Sequence, residues 1–175
     1  MELTLTTRPS PIGTMLIVTD AQGALRALDF EDYDARMHEL LRLHYGRFTL
    51  SPGEAPDAVI TPLNAYFQGD LLSLHAIRTA TGGTPFQREV WRALMDIPAG
   101  RTQSYGEMAQ RLGRPGASRA VGLANGANPL SLVVPCHRVV GSKGALTGYG
   151  GGLWRKQWLL AHEQAPAQDS LFAAA

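Results

Sequence analysis

The sequence predicts an α+β protein, with a small sheet of three antiparallel strands and its helices in residues 1–78 and a mostly helical domain in residues 84–163. Three observations predict it. Residues 2–30 show the alternation and turn spacing of strands, the segment after Gly83 repeats helix-start signals, and the charge changes sign between the halves. Residues 79–83 read as a linker and 164–175 as a flexible tail.

Leu3 and Leu5 alternate with threonines, Met15-Leu-Ile-Val18 follows a Pro-Ile-Gly turn, and Ala24 to Phe30 follows Gln22-Gly23, so three strands pair through two turns. Glu31 to Tyr45 changes to helical spacing, with Met37, Leu40 and Leu41 on one side and Tyr33 near them. Ser51 to Asp57 reads as a loop rich in Pro and Gly. Thr61-Pro62 is expected to cap and open a helix that Gly69 stops, and Leu72 to Ile77 reads as a strand.

Thr84-Pro85-Phe86-Gln87 combines an N-cap threonine, a proline at the first helical position and a glutamine placed to close a capping box, so a helix to about Ile97 follows. Ser104 and Glu107 form a second capping box for a short helix to Leu112, ended by Gly113. After the Arg114-Pro115-Gly116 turn, Ser118 is expected to cap a helix from Arg119 to about Asn125. Two short helices across a tight turn outline a helix-turn-helix. The last helix is expected to run from Gly152 or Leu153 to Glu163.

Composition bounds the function. The chain has 175 residues, 45% hydrophobic and 18% charged, enough for one sizeable core or two small ones. Its 19 Gly and 11 Pro follow no period, which excludes collagen-like and repeat architectures. The apolar run Leu130–Pro135 is too short to span a bilayer, and the N-terminus carries Glu2 and alternating threonines where a leader would be basic and then apolar. The reading is cytoplasmic and unprocessed, with no membrane partner. One cysteine makes neither an internal disulfide nor a cysteine-rich zinc site, so its thiol is free. Residues 1–83 hold six Lys/Arg against ten Asp/Glu, a net of −4, whereas residues 84–163 hold ten against four, a net of +6. A polyanion would be drawn to the second half.

The segment Ser118-Arg-Ala-Val-Gly-Leu-Ala-Asn-Gly-Ala-Asn128 lacks the several Arg, Asn or Gln side chains that read a major groove. Ala117, Ala120, Gly122 and Ala124 give a slim helix that could approach a minor groove, although on these residues alone close packing against other helices is the favoured reading. Cys136 stands in Val-Val-Pro-Cys-His-Arg-Val-Val. If it opens a helical turn, backbone N–H groups favour its thiolate, and His137 and Arg138 add a base and a fixed cation; the opposing reading is a small core residue. The glycine-dense loop Gly141–Gly152 permits close backbone approach to something flat or anionic. It lacks the phosphate-loop spacing. Tyr149 within it can stack on a ligand or cover the core.

Together these residues resemble a bacterial O6-alkylguanine-DNA alkyltransferase of the constitutive, single-cysteine type. Pro-Cys-His-Arg, Ser-Arg-Ala-Val-Gly, Asn128-Pro129, Thr-Gly-Tyr-Gly-Gly-Gly and Trp-Leu-Leu-Ala-His-Glu fall in the family's order between Thr84 and Glu163, and the likeness is weaker but collinear before Gly83. The resemblance implies a ribonuclease-H-like N-terminal domain and a winged-helix or helix-turn-helix-like C-terminal one. Cys136 would accept the alkyl group, His137 would link it through a water to Glu163, and Asn128 would brace the turn before the cysteine segment. Tyr105 would push the phosphate or hydrogen-bond the extruded guanine, and Tyr149, Val139 and Gly150 would line the base pocket, with Lys156 in support. Arg119 would replace the flipped nucleotide in the duplex, with Ser118, Ala120, Gly122 and Arg114 beside it on the DNA. No zinc, other metal or cofactor is expected.

Attack by Cys136 on an alkyl carbon gives a thioether, so one turnover per molecule is expected. An alkyl-lesion sensor with an incidental cysteine and a cysteine hydrolase using Cys136 and His137 are the rival readings. The expected partner is double-stranded DNA containing O6-alkylguanine, bound by a monomer. In the tail, Gln168-Asp-Ser-Leu171-Phe172 resembles a peptide that binds the bacterial sliding clamp.

Overall fold

The structure is a computed structural model that describes the backbone of residues 1–174 and the side chains of residues 1–164. Its chain divides into two compact units, Met1–Thr84 with Pro129–Val133, and Pro85–Asn128 with the residues from Val134 onward. The inclusion of residues 129–133 in the first unit is not anticipated by a division at residues 79–83.

In the first unit β1 (Glu2–Arg8), β2 (Met15–Asp20) and β3 (Leu25–Phe30) form the expected antiparallel meander, with Leu5 opposite Val18 and Ile17 opposite Leu28. Strand β2 is central and buried along its whole length, which explains its unbroken apolar run. Helix α1 (Asp34–Tyr45) places Met37 and Leu41 on a core with Leu3, Leu16, Val18 and Ala27, as the helical spacing predicts.

Three expectations need correction. A fourth strand, β4 (Thr49–Pro52), pairs parallel with β1 where the sequence reads partly as loop; it is an edge strand, so Pro52 ends it at no cost to an inner ladder. Helix α2 (Asp57–Phe67) starts a turn earlier than Thr61-Pro62 suggests and holds Pro62 inside it. The chain does turn at Gly69, whose φ is 109°. Residues 73–76 form a 3₁₀ turn in place of a strand, because Leu74 is buried while Leu72 is 70% exposed and the segment has no second apolar face.

The segment Pro129–Val133 lies along β3. Leu28 N–H donates to Pro129 O at 2.9 Å, and Ser131 N–H donates back to Leu28 O at 3.2 Å. Every residue of the segment is buried, and Leu132 takes a φ of 75°. A non-glycine in that region costs about 1–2 kcal/mol, a strain held in place by the buried packing around it.

The second unit opens with α3 (Pro85–Met95), started as its sequence predicts, and its Trp91 Nε1 donates to Ala124 O at 2.9 Å inside the core. Next come β5 (Gln103–Ser104), α4 (Tyr105–Arg111) and α5 (Ser118–Gly126). Both capping-box bonds of Ser104 and Glu107 form, each at 3.1 Å. Gly113 and Gly116 turn the chain between α4 and α5 with φ of 71° and 88°, values that side-chain-bearing residues rarely adopt. Ser118 is the first residue of α5 and not its cap; Ala117 holds that position and supplies no side-chain bond. A short strand, β6 (Val139–Val140), pairs parallel with β5. The last helix, α6 (Leu153–Ala174), continues past Glu163, where the sequence reading ends it. The side chains of Gln168, Leu171 and Phe172 lie outside the described residues. No described helix is long and apolar enough to cross a membrane.

Candidate active site around Cys136

Cys136 begins a three-residue 3₁₀ turn, Cys136–Arg138, and is 4% exposed. Its own N–H donates to Val134 O at 2.8 Å, and Arg138 N–H donates to Pro135 O at 3.0 Å. A three-residue turn in which the Cys136 and Arg138 N–H groups are engaged locally supplies no helix-terminal activation of the thiol, contrary to the sequence expectation.

Arg138 also serves differently from a cation beside the sulfur. Its Nε and Nη2 grip Glu163 Oε2 and Oε1 at 3.0 and 2.9 Å, while Nη1 donates to Ile97 O at 2.7 Å. Glu163 Oε1 also meets His137 Nε2 at 2.7 Å, and both side chains are wholly buried. Burial by itself would raise the Glu163 carboxyl, but His137 and Arg138 outweigh it and hold the group below its usual range. His137 is pushed down from its ordinary value by burial, against the attraction of Glu163. A neutral ring facing a carboxylate must carry its hydrogen on Nε2, which makes Nδ1 the basic atom. That Nδ1 is buried and bonds to no described group.

Lys156 on α6 is fully buried and ties three carbonyls together: Nζ donates to Val139 O at 2.6 Å, Thr147 O at 2.9 Å and Gly148 O at 3.4 Å. Burial lowers the Lys156 ammonium, and its attraction to Cys136 opposes that shift. By reciprocity this cation favours negative charge on Sγ. The glycine loop folds back over itself, with Gly141 N–H donating to Ala145 O at 2.7 Å. A Cβ on Gly141 would stand 3.0 Å from Thr147 Cγ2 and 3.2 Å from Ala145 O, so a side chain there would require these neighbours to give by a few tenths of an ångström.

A cavity of about 240 Å³ opens onto Cys136, lined by Tyr105, Gly122, Asn125, Gly126, Gly148, Tyr149 and Gly150. Four residues that the sequence singles out for the base or the DNA, Tyr105, Gly122, Tyr149 and Gly150, are thereby brought to the cysteine. Tyr105 OH accepts from Thr147 Oγ1 at 3.4 Å. Val139 does not line the cavity; it is fully buried and takes part through the carbonyl held by Lys156. Asn128 is fully buried, and its Nδ2 donates to Val134 O at 2.9 Å, two residues before Cys136.

On α5, Arg119 and Ala120 are exposed, Ser118 is half-buried, and no described group bonds the Arg119 side chain. Arg114 is engaged within the unit, 3.1 Å from Glu89 and with its guanidinium 4.9 Å from the Phe86 ring centre. The net charge of this half overstates its outward field, because Arg138, Arg155 and Lys156 are interior. Sequence reasoning missed Asn125, Gly126 and Gly148 as lining residues and the Arg138–Glu163 fork. The inward spacing of Val121, Ala124 and Asn125 was the available signal for Asn125. Among the described residues, no cluster of three or more His, Cys, Asp or Glu could hold a metal ion.

Comparison with known proteins places both units. Residues 3–81 match the ribonuclease-like domain of 6-O-methylguanine DNA methyltransferase, and residues 85–165 match its DNA binding domain. The chain is 53% identical over 156 residues to the methylated-DNA–protein-cysteine methyltransferase of Salmonella typhimurium, covering 88% of this chain and 91% of that protein. It is 47% identical over 167 residues to the Mycobacterium bovis protein of the same description, covering 93% and 94%. The crystal structure of Mycobacterium tuberculosis OGT in complex with DNA is similar with a TM-score of 0.76 and 42% identity, covering 93% of both chains. The O6-methylguanine-DNA methyltransferase of Pyrococcus kodakaraensis is similar with a TM-score of 0.72 and 25% identity, covering 92% of this chain and 98% of that one. Two family models that together span nearly the whole chain, and relatives 47–53% identical over most of it that are described as methylated-DNA–protein-cysteine methyltransferases, show that the chain belongs to the 6-O-methylguanine DNA methyltransferase family.

Proposed function

We propose that this chain repairs O6-alkylguanine in double-stranded DNA by moving the alkyl group onto Cys136 Sγ, once per molecule. The observation that carries the reading is the cavity of about 240 Å³ that ends on a buried cysteine whose neighbour, His137, keeps a basic nitrogen. A cavity below about 300 Å³ suits one base better than a larger ligand. The alkylated O6 cannot be reached inside a stacked duplex, so the nucleotide must be extruded, with Arg119 filling the gap it leaves.

The Cys136 proton passes through one water to His137 Nδ1, while Glu163, held by Arg138, keeps the ring in the tautomer that accepts it. The sulfur lone pair attacks the alkyl carbon. The carbon–sulfur bond forms as the carbon–O6 bond breaks, its electron pair goes to the base, and a proton returned to the base restores guanine. Lys156 steadies negative charge on sulfur and fixes the carbonyls at the cavity edge. The thioether has no group that water or a thiol readily displaces, so the protein does not turn over. This chemistry requires no metal or cofactor.

In this reading the protein acts on double-stranded DNA as a monomer in the cytoplasm. A contact with the bacterial sliding clamp through Gln168, Leu171 and Phe172 rests on the tail sequence alone. Deleting residues 168–175 should abolish clamp binding and leave alkyl transfer on a short duplex unchanged; a full-length protein that does not bind the clamp contradicts it. The repair reading is tested with Cys136→Ala, which should bind DNA as before and accept no alkyl group.

A further inference from the structure

We infer that a second cavity, where α1 gives way to β4, binds a compact polyphosphate group, free or carried on a nucleotide. The site is independent of the alkyl-transfer reading.

This cavity, of about 600 Å³, lies in the first unit and is lined by Arg42, Arg47, Gly46, Phe48 and Glu2 among others. Its volume is within the range of small-molecule sites, about 300–1,000 Å³. Helix α1 carries Arg42 in its last turn, where Arg42 O accepts from Gly46 N–H at 3.0 Å. Gly46 then takes a φ of 71°, which turns the chain in a way that side-chain-bearing residues rarely allow. Arg47 follows in that turn. Its backbone is pinned to the start of the chain, with the Met1 nitrogen donating to Arg47 O at 3.3 Å and Thr49 N–H to Met1 O at 2.9 Å. A helix end and a fixed turn thus bring two guanidinium groups to one concavity.

The lack of partners sets this pair apart. Residues 1–83 hold six basic residues, all of them Arg. Arg8, Arg26 and Arg36 pair with Glu54, Asp20 and Asp29, and Arg78 donates to Gln22 O. Arg42 and Arg47 are exposed, and neither bonds a described group, Glu2 at the cavity wall included. In a half that carries a net charge of −4, the two arginines left unengaged line the same cavity. The negative end of α1 accounts for a cation at Arg42 but not for Arg47, which lies beyond the helix.

The planar fork of arginine matches the oxygens of a phosphate two at a time, so two forks suit two adjacent phosphates. The volume leaves room for a nucleoside beside them, against Phe48. A long polyanion such as duplex DNA would run past the two cations into the acidic remainder of this half, whereas a compact one would not.

The test is titration of the full-length, 15N-labelled protein with pyrophosphate, with ADP and with a short undamaged duplex, followed by backbone amide shifts. Pyrophosphate and ADP should each shift residues 42–49 saturably, with half-saturation at about 1 mM or below, and the tighter of the two identifies the source of the phosphates. The duplex should leave residues 42–49 unshifted. Arg42→Gln combined with Arg47→Gln should weaken both small ligands by about tenfold or more. Arg47→Gln alone serves the comparison should the double variant not fold. No saturable shift with either small ligand, shifts at residues 42–49 caused by the duplex alone, or wild-type affinity in the double variant overturns the inference and leaves the repair reading untouched.

Discussion

His137 Nε2 and Glu163 Oε1 stand 2.7 Å apart with both side chains out of contact with solvent, and Arg138 holds the same carboxylate through two further bonds. This buried trio decides the tautomer of the ring and leaves its second nitrogen basic. Glu163→Gln should therefore slow transfer by tenfold or more, as a side-chain amide can turn its N–H toward the ring and reverse the tautomer. Because Arg138 also loses its counter-charge in the interior, unfolding should become easier by about 3 kcal/mol. Stopped-flow transfer and urea melts read the two effects separately, and a variant with the wild-type rate would remove Glu163 from the mechanism.

Protonation should destabilise the fold in two steps. The His137 ring is held neutral by burial, below its ordinary value, so the unfolded chain binds a proton that the folded chain refuses. Stability from this source is full above about pH 6.5 and is lost as pH falls through that value. Glu163, lowered in the folded state, adds stability that is present above about pH 4.3 and disappears below it. Melting temperatures taken from pH 8 to 4 should fall from near pH 6.5 in the wild type, and His137→Gln should flatten the upper step. A wild-type curve level down to pH 5 would contradict a neutral buried ring.

Arg119 is exposed and engages no described group, which suits a side chain held in reserve for DNA. Arg119→Ala should slow transfer from a duplex tenfold or more, because an extruded nucleotide then leaves an unfilled stack that costs a few kcal/mol. Transfer from free O6-methylguanine base, which needs no extrusion, should not change. Equal losses on both substrates would assign the effect to the cavity and not to the duplex.

Leu123 is 73% exposed on α5, one turn beyond Arg119 and Ala120, an unusual place for a large apolar side chain within a basic unit. Leu123→Ala should weaken DNA binding by several-fold without altering the slope of log Kd against log salt, since an apolar contact releases no counterions. Arg119→Ala should change that slope by at most about one. Titration at several salt concentrations separates the two, and an unchanged affinity for Leu123→Ala would leave that side chain without a role on DNA.

What the sequence made legible was local. Pro85 and the Ser104–Glu107 box name their helix starts because both partners of each signal lie within one turn. Cys136 and His137 stood out because an apolar run delivers both to one short turn, although the same run also suits a buried core cysteine. Pairings between distant segments were hidden. Strand β4 exists only by its register with β1, and Pro129–Val133 acquires its place from Leu28, a hundred residues away. Pro62 misled because a proline marks a helix start by preference only, and α2 tolerates it within a turn already nucleated from Asp57. The fork of Arg138 on Glu163 depends on side-chain directions that no local spacing encodes.

The most direct measurement is the intact mass of the protein after mixing with a duplex that carries a single O6-methylguanine. The account predicts one methyl group in place of one hydrogen, on the peptide containing Cys136 and absent from Cys136→Ala, with at most one lesion removed per molecule. An unchanged mass, or removal of lesions in molar excess over protein, would contradict it.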